Sequence, residues 1–135
     1  MNCHRARILV VDCPQGSLSG ALDPALARHQ VDFARDAFDT IYRIDCAVRP
    51  YDVIFIDLAR GELPGPELWA YLSISRKSAA RRMVFVASEP LNPETRAFLA
   101  SVPNVCVELP LEAEALHMLA VRRASQACVG GPVAA

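Results

Sequence analysis

Four unbroken apolar runs punctuate the chain, and each stops at a polar or proline-bearing turn. Ile8-Leu9-Val10-Val11 halts at Asp12-Cys13-Pro14, and Val53-Ile54-Phe55-Ile56 halts at Asp57. Met83 to Ala87 halts at Ser88-Glu89-Pro90, and Val105-Cys106-Val107 halts at Glu108-Leu109-Pro110. Runs without polar alternation are expected of strands buried on both faces, as in a parallel sheet. A weaker run, Val31 to Ala34, contains Asp32. It is expected at a sheet edge, where one face stays polar.

Amphipathic segments lie between these runs. Ala37 to Val48 places Phe38, Ile41, Tyr42 and Ile44 near helical spacing. Pro66 to Leu72 starts with a proline suited to a first helical turn. Asn92-Pro93-Glu94-Thr95 reads as an N-cap with proline at N1, opening a helix through Phe98 and Leu99. Glu112 to Arg123 carries Leu116, Leu119 and Val121, with Arg122 and Arg123 favourable at a helix C-terminus. Between residues 15 and 29, Gly16, Gly20 and Pro24 interrupt the pattern. That helix is expected to be short, kinked, or to begin only at Asp23-Pro24. Strand and helix alternate five times with short connections, which gives a doubly wound α/β sandwich. The expected domain spans residues 7–124, with flexible termini at 1–6 and 125–135.

Composition narrows the function. A chain of 135 residues, 53% hydrophobic and 21% charged, builds one core and is too apolar to be disordered. A net charge of −1 offers no general attraction to nucleic acid or to an anionic membrane. Five cysteines, with no C-x-x-C pair, resemble neither a zinc site nor a disulfide framework. They are read as reduced thiols of a cytoplasmic protein. No stretch has the look of a signal peptide or of a membrane span.

In open parallel sheets, ligands bind beyond the carboxyl ends of the strands, where strand order reverses. Asp12 and Asp57 each terminate a core strand, so both are expected to face one crevice if those strands are neighbours. At these residues the chain resembles the receiver domain of bacterial response regulators and hybrid kinases, over residues 7–123. The resemblance rests on Ile8 to Asp12, Tyr51 to Leu58, Gly65 to Leu68, Val84 to Ser88, Pro93 to Leu99 and Glu108 to Leu111, in order and in spacing.

That resemblance implies a flavodoxin-like, CheY-like fold: a five-stranded parallel sheet in the order 2-1-3-4-5 within three α/β/α layers. It also implies that Asp57 is the position that accepts a phosphoryl group from a histidine kinase. Mg²⁺ would be held by Asp12, Asp57 and the backbone of Ala59, if it binds at all. Several helper positions depart from the family pattern. Cys13 stands where a second acid is usual, and a neutral thiol is a poor ligand for Mg²⁺. Ala87 replaces a hydroxyl residue, with Ser88 one position on, where a strand offset points a side chain to the other face. Leu109 replaces the usual lysine, and Cys106 an aromatic residue. The only lysine, Lys77, precedes the fourth strand. It is expected at the opposite end of the sheet. Arg60 is weighed as a substitute cation and as a plain solvated side chain.

Other chemistries fit poorly. Cys13 lacks the downstream arginine of a thiol phosphatase, because Ser19 stands there. Gly16 to Gly20 matches neither a P-loop nor a nucleophile elbow. His4, His29 and His117 are not expected near Asp57. Neighbouring carboxylates would raise the pKa of Cys13, which argues against a reactive thiol.

The expected function is that of an atypical, non-enzymatic pseudo-receiver in a phosphorelay, acting by protein contact with weak or absent phosphorylation at Asp57. A working single-domain response regulator and a small flavodoxin-like enzyme are the alternatives. Expected partners are a histidine kinase or other signalling protein, with a homodimer also open. Their surface would be the fourth helix, fifth strand and fifth helix, or the face of the first helix. No nucleic-acid-binding output segment is expected, since the chain ends soon after the last helix.

Overall fold

The computed structural model describes residues 5–12, 18, 20, 22, 26–58, 65–87, 90–108 and 113–130, with side chains to residue 124. Five parallel strands form one sheet: β1 (Arg7–Val11), β2 (Gln30–Ala34), β3 (Val53–Asp57), β4 (Met83–Ala87) and β5 (Cys106–Glu108). Their spatial order is β2-β1-β3-β4-β5. This is the CheY-like flavodoxin topology, and it places the reversal of strand order between β1 and β3. The expected edge strand is β2, and its three central residues are only half-buried.

Alternation along the buried strands divides the core into two layers. One face carries Ile8, Val10, Val53, Phe55, Val84 and Val86, packed against Leu18, Leu22, Leu26, Leu116 and Ala120. The other carries Leu9, Val11, Ile54, Ile56, Met83 and Phe85, packed against Leu68, Leu72 and Ala80. Both faces are covered by helical residues, which is why these strands contain no polar alternation.

Five helices have defined bounds: α1 (Ala37–Cys46), α2 (Gly65–Ser75), α3 (Lys77–Arg81), α4 (Pro93–Ser101) and α5 (Ala113–Gly130). The Asn92 side chain accepts from the Thr95 backbone N–H at 2.8 Å with Pro93 at N1, as the sequence predicts. Asp36 caps α1 in the same way, accepting from Asp39 N–H at 2.8 Å, while Asp39 accepts from Arg35 N–H at 3.0 Å. The first bond satisfies a donor that the first helical turn leaves open, and the second ties the residue before the cap to that turn.

Several boundaries differ from expectation. Leu18, Gly20 and Leu22 are already helical, so the segment after β1 does not wait for Asp23-Pro24. The α5 helix runs to Gly130 rather than ending at Arg123. Residues 124–129 contain neither glycine nor proline to end it earlier. Arg122 and Arg123 therefore lie away from the helix terminus and do not complement its dipole. In α1, only Ile41 and Ile44 of the four predicted apolar positions pack on the core. Phe38 and Tyr42 point outward, at 86% and 65% exposure. The short α3 helix was not foreseen.

Candidate functional site

Register brings the two predicted carboxylates together. β1 pairs with β3 through Ile8↔Val53, Leu9↔Ile54, Val10↔Phe55 and Val11↔Ile56. Asp12 and Asp57 each follow the last pair of this ladder, at the carboxyl ends of two neighbouring strands. Both are buried, Asp12 at 2% exposure and Asp57 at 0%. Carboxylates are rarely so enclosed without partners, because losing water around a charge is costly. Both engage in interactions with surrounding groups.

Of the remaining positions, Ala87 and Cys106 lie near this level of the sheet. Asp57 pairs with Val86, and Val86 with Val107. Ala87 and Glu108 lie one residue further toward the carboxyl end. Phe85 pairs with Cys106, so Ala87 and Cys106 share one face of the sheet on adjacent strands. The two side chains there are a methyl and a thiol. Burial, with a smaller contribution from Glu108, pushes the Cys106 thiol above its ordinary range, which keeps it neutral. Lys77 opens α3, before β4 begins, and so belongs to the amino end of the sheet as expected. Cys13, Ala59, Arg60, Ser88 and Leu109 lie outside the described residues.

A Mg²⁺ ion takes hard oxygen ligands and is commonly held by one or two carboxylates plus phosphate and water. Asp12 and Asp57 supply two such carboxylates from adjacent strands. Among the described residues, no group of three or more His, Cys, Asp or Glu side chains is placed to hold a metal. Among the described residues, no helix is long and apolar enough to cross a membrane.

Two histidines form a cluster that the sequence does not announce. His29 and His117 meet at the amino end of the sheet, where the His29 Nδ1 accepts from the Ala6 backbone N–H at 2.9 Å. They lie away from Asp57, as expected, but their mutual contact has no signature in local spacing.

No family model matches the sequence, and no curated protein sequence matches it. Solved structures do. The NtrX protein of Brucella abortus, crystallised with ADP, superposes with a TM-score of 0.74 at 20% identity, covering 96% of this chain. This chain spans 28% of the length of NtrX. The signal receiver domain of a LuxO repressor protein from Vibrio parahaemolyticus gives a TM-score of 0.72 at 15% identity, covering 97% of this chain and 98% of that one. The chemotaxis response regulator CheY4 of Vibrio cholerae gives 0.65 at 21% identity, covering 88% of this chain and 98% of that one. In strand order, in layering and in these likenesses, the chain has the fold of the response-regulator receiver domain.

Proposed function

We propose that this protein is a cytoplasmic, non-enzymatic signalling module of a two-component phosphorelay. It acts by protein contact, with weak or absent phosphorylation at Asp57. The observation that carries this reading is the half-complete pocket around Asp12 and Asp57. The carboxylate pair stands at the β1/β3 crevice, yet β4 ends in the methyl of Ala87 and the one lysine belongs to the other end of the sheet. Asp57 is also wholly buried.

Phosphoryl transfer depends on positioning the donor and neutralising charge on the transferred oxygens. Asp12, Asp57 and the backbone of Ala59 would hold Mg²⁺, and Cys13 adds no hard oxygen donor to that set. Ala87 offers no hydroxyl, and Leu109 no cation, to the phosphoryl oxygens. Each deficiency costs on the order of a few kcal/mol in transition-state stabilisation. Partners are a histidine kinase or another signalling protein. The retained carboxylate pair favours a second reading, slow phosphorylation of Asp57 in a working response regulator.

Intact mass after incubation with a small phosphodonor and Mg²⁺ decides between the two, with Asp57→Asn as control. No mass gain is expected under conditions that label an ordinary receiver. A gain of one phosphoryl group that disappears in the control would overturn the pseudo-receiver reading.

A further inference from the structure

A cavity of about 360 Å³ opens at the amino end of the sheet, whereas Asp57 stands at the carboxyl end. Its volume falls in the range of small-molecule pockets, roughly 300–1,000 Å³. Ile44, Ala47, Pro50, Ile54 and Ala79 give it apolar walls, contributed by α1, the loop after it, β3 and α3. Tyr51 forms a fixed part of the lining. Its hydroxyl donates to Asp32 Oδ2 at 2.7 Å, and the Arg7 guanidinium stacks over its ring at 5.4 Å.

The charge of the lining is one-sided. Arg76 and Arg82 both reach the cavity, and no carboxylate does. Arg76 is already neutralised, because its Nε and Nη2 donate to the two oxygens of Asp45 at 2.7 Å each. Arg82 is different. Its Nη1 donates to the Tyr51 carbonyl at 3.2 Å, and among the described residues no carboxylate forms an ion pair with it. A guanidinium has five donors in a rigid fork, and the bond to Tyr51 uses one of them. Arg123 lies near enough to feel the charge of Arg82, which adds to the positive potential at this end of the molecule.

We propose that this cavity binds a small amphipathic anion: a short alkyl or aryl body against Ile44, Ile54 and Ala79, with a single carboxylate or phosphate head on Arg82. Apolar walls alone would accept any hydrophobe. An arginine with no carboxylate in ion-pair contact among the described residues selects one with a negative head, since charge-assisted bonds to a guanidinium are stronger than neutral ones. Binding here lies at the opposite end of the sheet from the carboxylate pair and does not depend on whether Asp57 is phosphorylated.

The experiment is a titration followed by amide NMR, using hexanoate, hexyl phosphate, hexanol and inorganic phosphate as separate probes. Saturable shifts confined to residues around Ala47, Ile54 and Ala79 are expected with hexanoate or hexyl phosphate. The tighter of these two identifies the head group. Hexanol and inorganic phosphate should each bind at least about tenfold more weakly, the size of one lost charged hydrogen bond. Arg82→Gln should weaken the anionic probe by a similar factor, and Ala79→Leu should block it by filling the cavity. Equal binding of hexanol and hexanoate, an unchanged affinity in Arg82→Gln, or no saturation by any probe would overturn the proposal. If Arg82→Gln does not fold, the comparison of hexanol with hexanoate and the Ala79→Leu variant decide it.

Discussion

The Nε2 of His29 lies 3.0 Å from the Nδ1 of His117, joining the start of β2 to α5 across 88 positions of sequence. The ring centroids are 5.0 Å apart. Because His29 Nδ1 accepts from Ala6 N–H, that nitrogen carries no proton. The neutral His29 ring must then hold its proton on Nε2 and donate it to His117 Nδ1. The geometry therefore fixes both tautomers, and a second proton on His29 would break the bond to Ala6. Nitrogen chemical shifts of the two rings at neutral pH should show His29 protonated only on Nε2 and His117 only on Nε2. The opposite assignment for either ring would refute this network.

The same pair predicts a pH dependence of stability. Burial lowers the pKa of His29 from 6.5, helped by His117, Arg28 and Arg5 and opposed by Asp52. Below about pH 6.5 the unfolded chain takes up a proton that the folded chain refuses, so stability falls as pH drops through this region. The urea midpoint should decrease from pH 7.5 toward pH 5.5 in the native protein. His29→Asn should flatten that slope, and an undiminished slope would place its origin elsewhere.

Tyr51 predicts the alkaline counterpart. Burial, then its hydrogen bond to Asp32, raises its pKa to about 12. A tyrosine with a raised folded pKa contributes stability that is complete below the unfolded value near 10 and lost as pH climbs through 12. Ultraviolet titration of phenolate should show the Tyr51→Phe variant lacking a group that ionises near pH 12. The substitution also leaves Asp32 without its donor, and should cost about 1–2 kcal/mol in denaturant unfolding at neutral pH.

Asn104 ties three elements together. It accepts from Trp69 Nε1 at 3.0 Å and donates to the carbonyls of Ala80 and Met83 at 2.8 and 2.9 Å. Asn104→Ala would leave an indole donor and two carbonyls to find other partners. A loss of about 2–4 kcal/mol is expected, read by fluorescence of the only tryptophan during unfolding. A change below about 0.5 kcal/mol, typical of an uninvolved surface site, would contradict the bridging role.

Restoring oxygen chemistry near Asp57 tests the proposed deficiency of the pocket directly. Cys13→Asp should raise Mg²⁺ affinity by on the order of tenfold or more, by calorimetric titration. Adding Ala87→Thr and Leu109→Lys should bring phosphodonor labelling of Asp57 into a measurable range. Unchanged Mg²⁺ affinity in Cys13→Asp would show that position 13 does not face the carboxylate pair.

Strand identity was legible in the sequence because burial on both faces demands unbroken apolar runs. Ile8 to Val11, Val53 to Ile56 and Met83 to Ala87 could hardly be anything else. The α4 start was equally plain, since the Asn92-Pro93 cap is a local event. Asp12 and Asp57 stood out as the polar residues closing the two most apolar strands. The start of the helix after β1 was less clear, because Gly20 lowers local propensity while the burial of Leu18 and Leu22 restores it.

What the sequence alone determined, then, was what short-range chemistry dictates: which segments are strands and where the Asn92 cap falls. Tertiary structure decided which distant groups meet. The His29–His117 bond, the Asn104 bridge, the outward turn of Phe38 and Tyr42, and the cavity beside Arg82 all arise from packing between elements remote in sequence. Spacing along a chain fixes the period of one helix or strand, but the contact between two of them depends on register and on how layers stack.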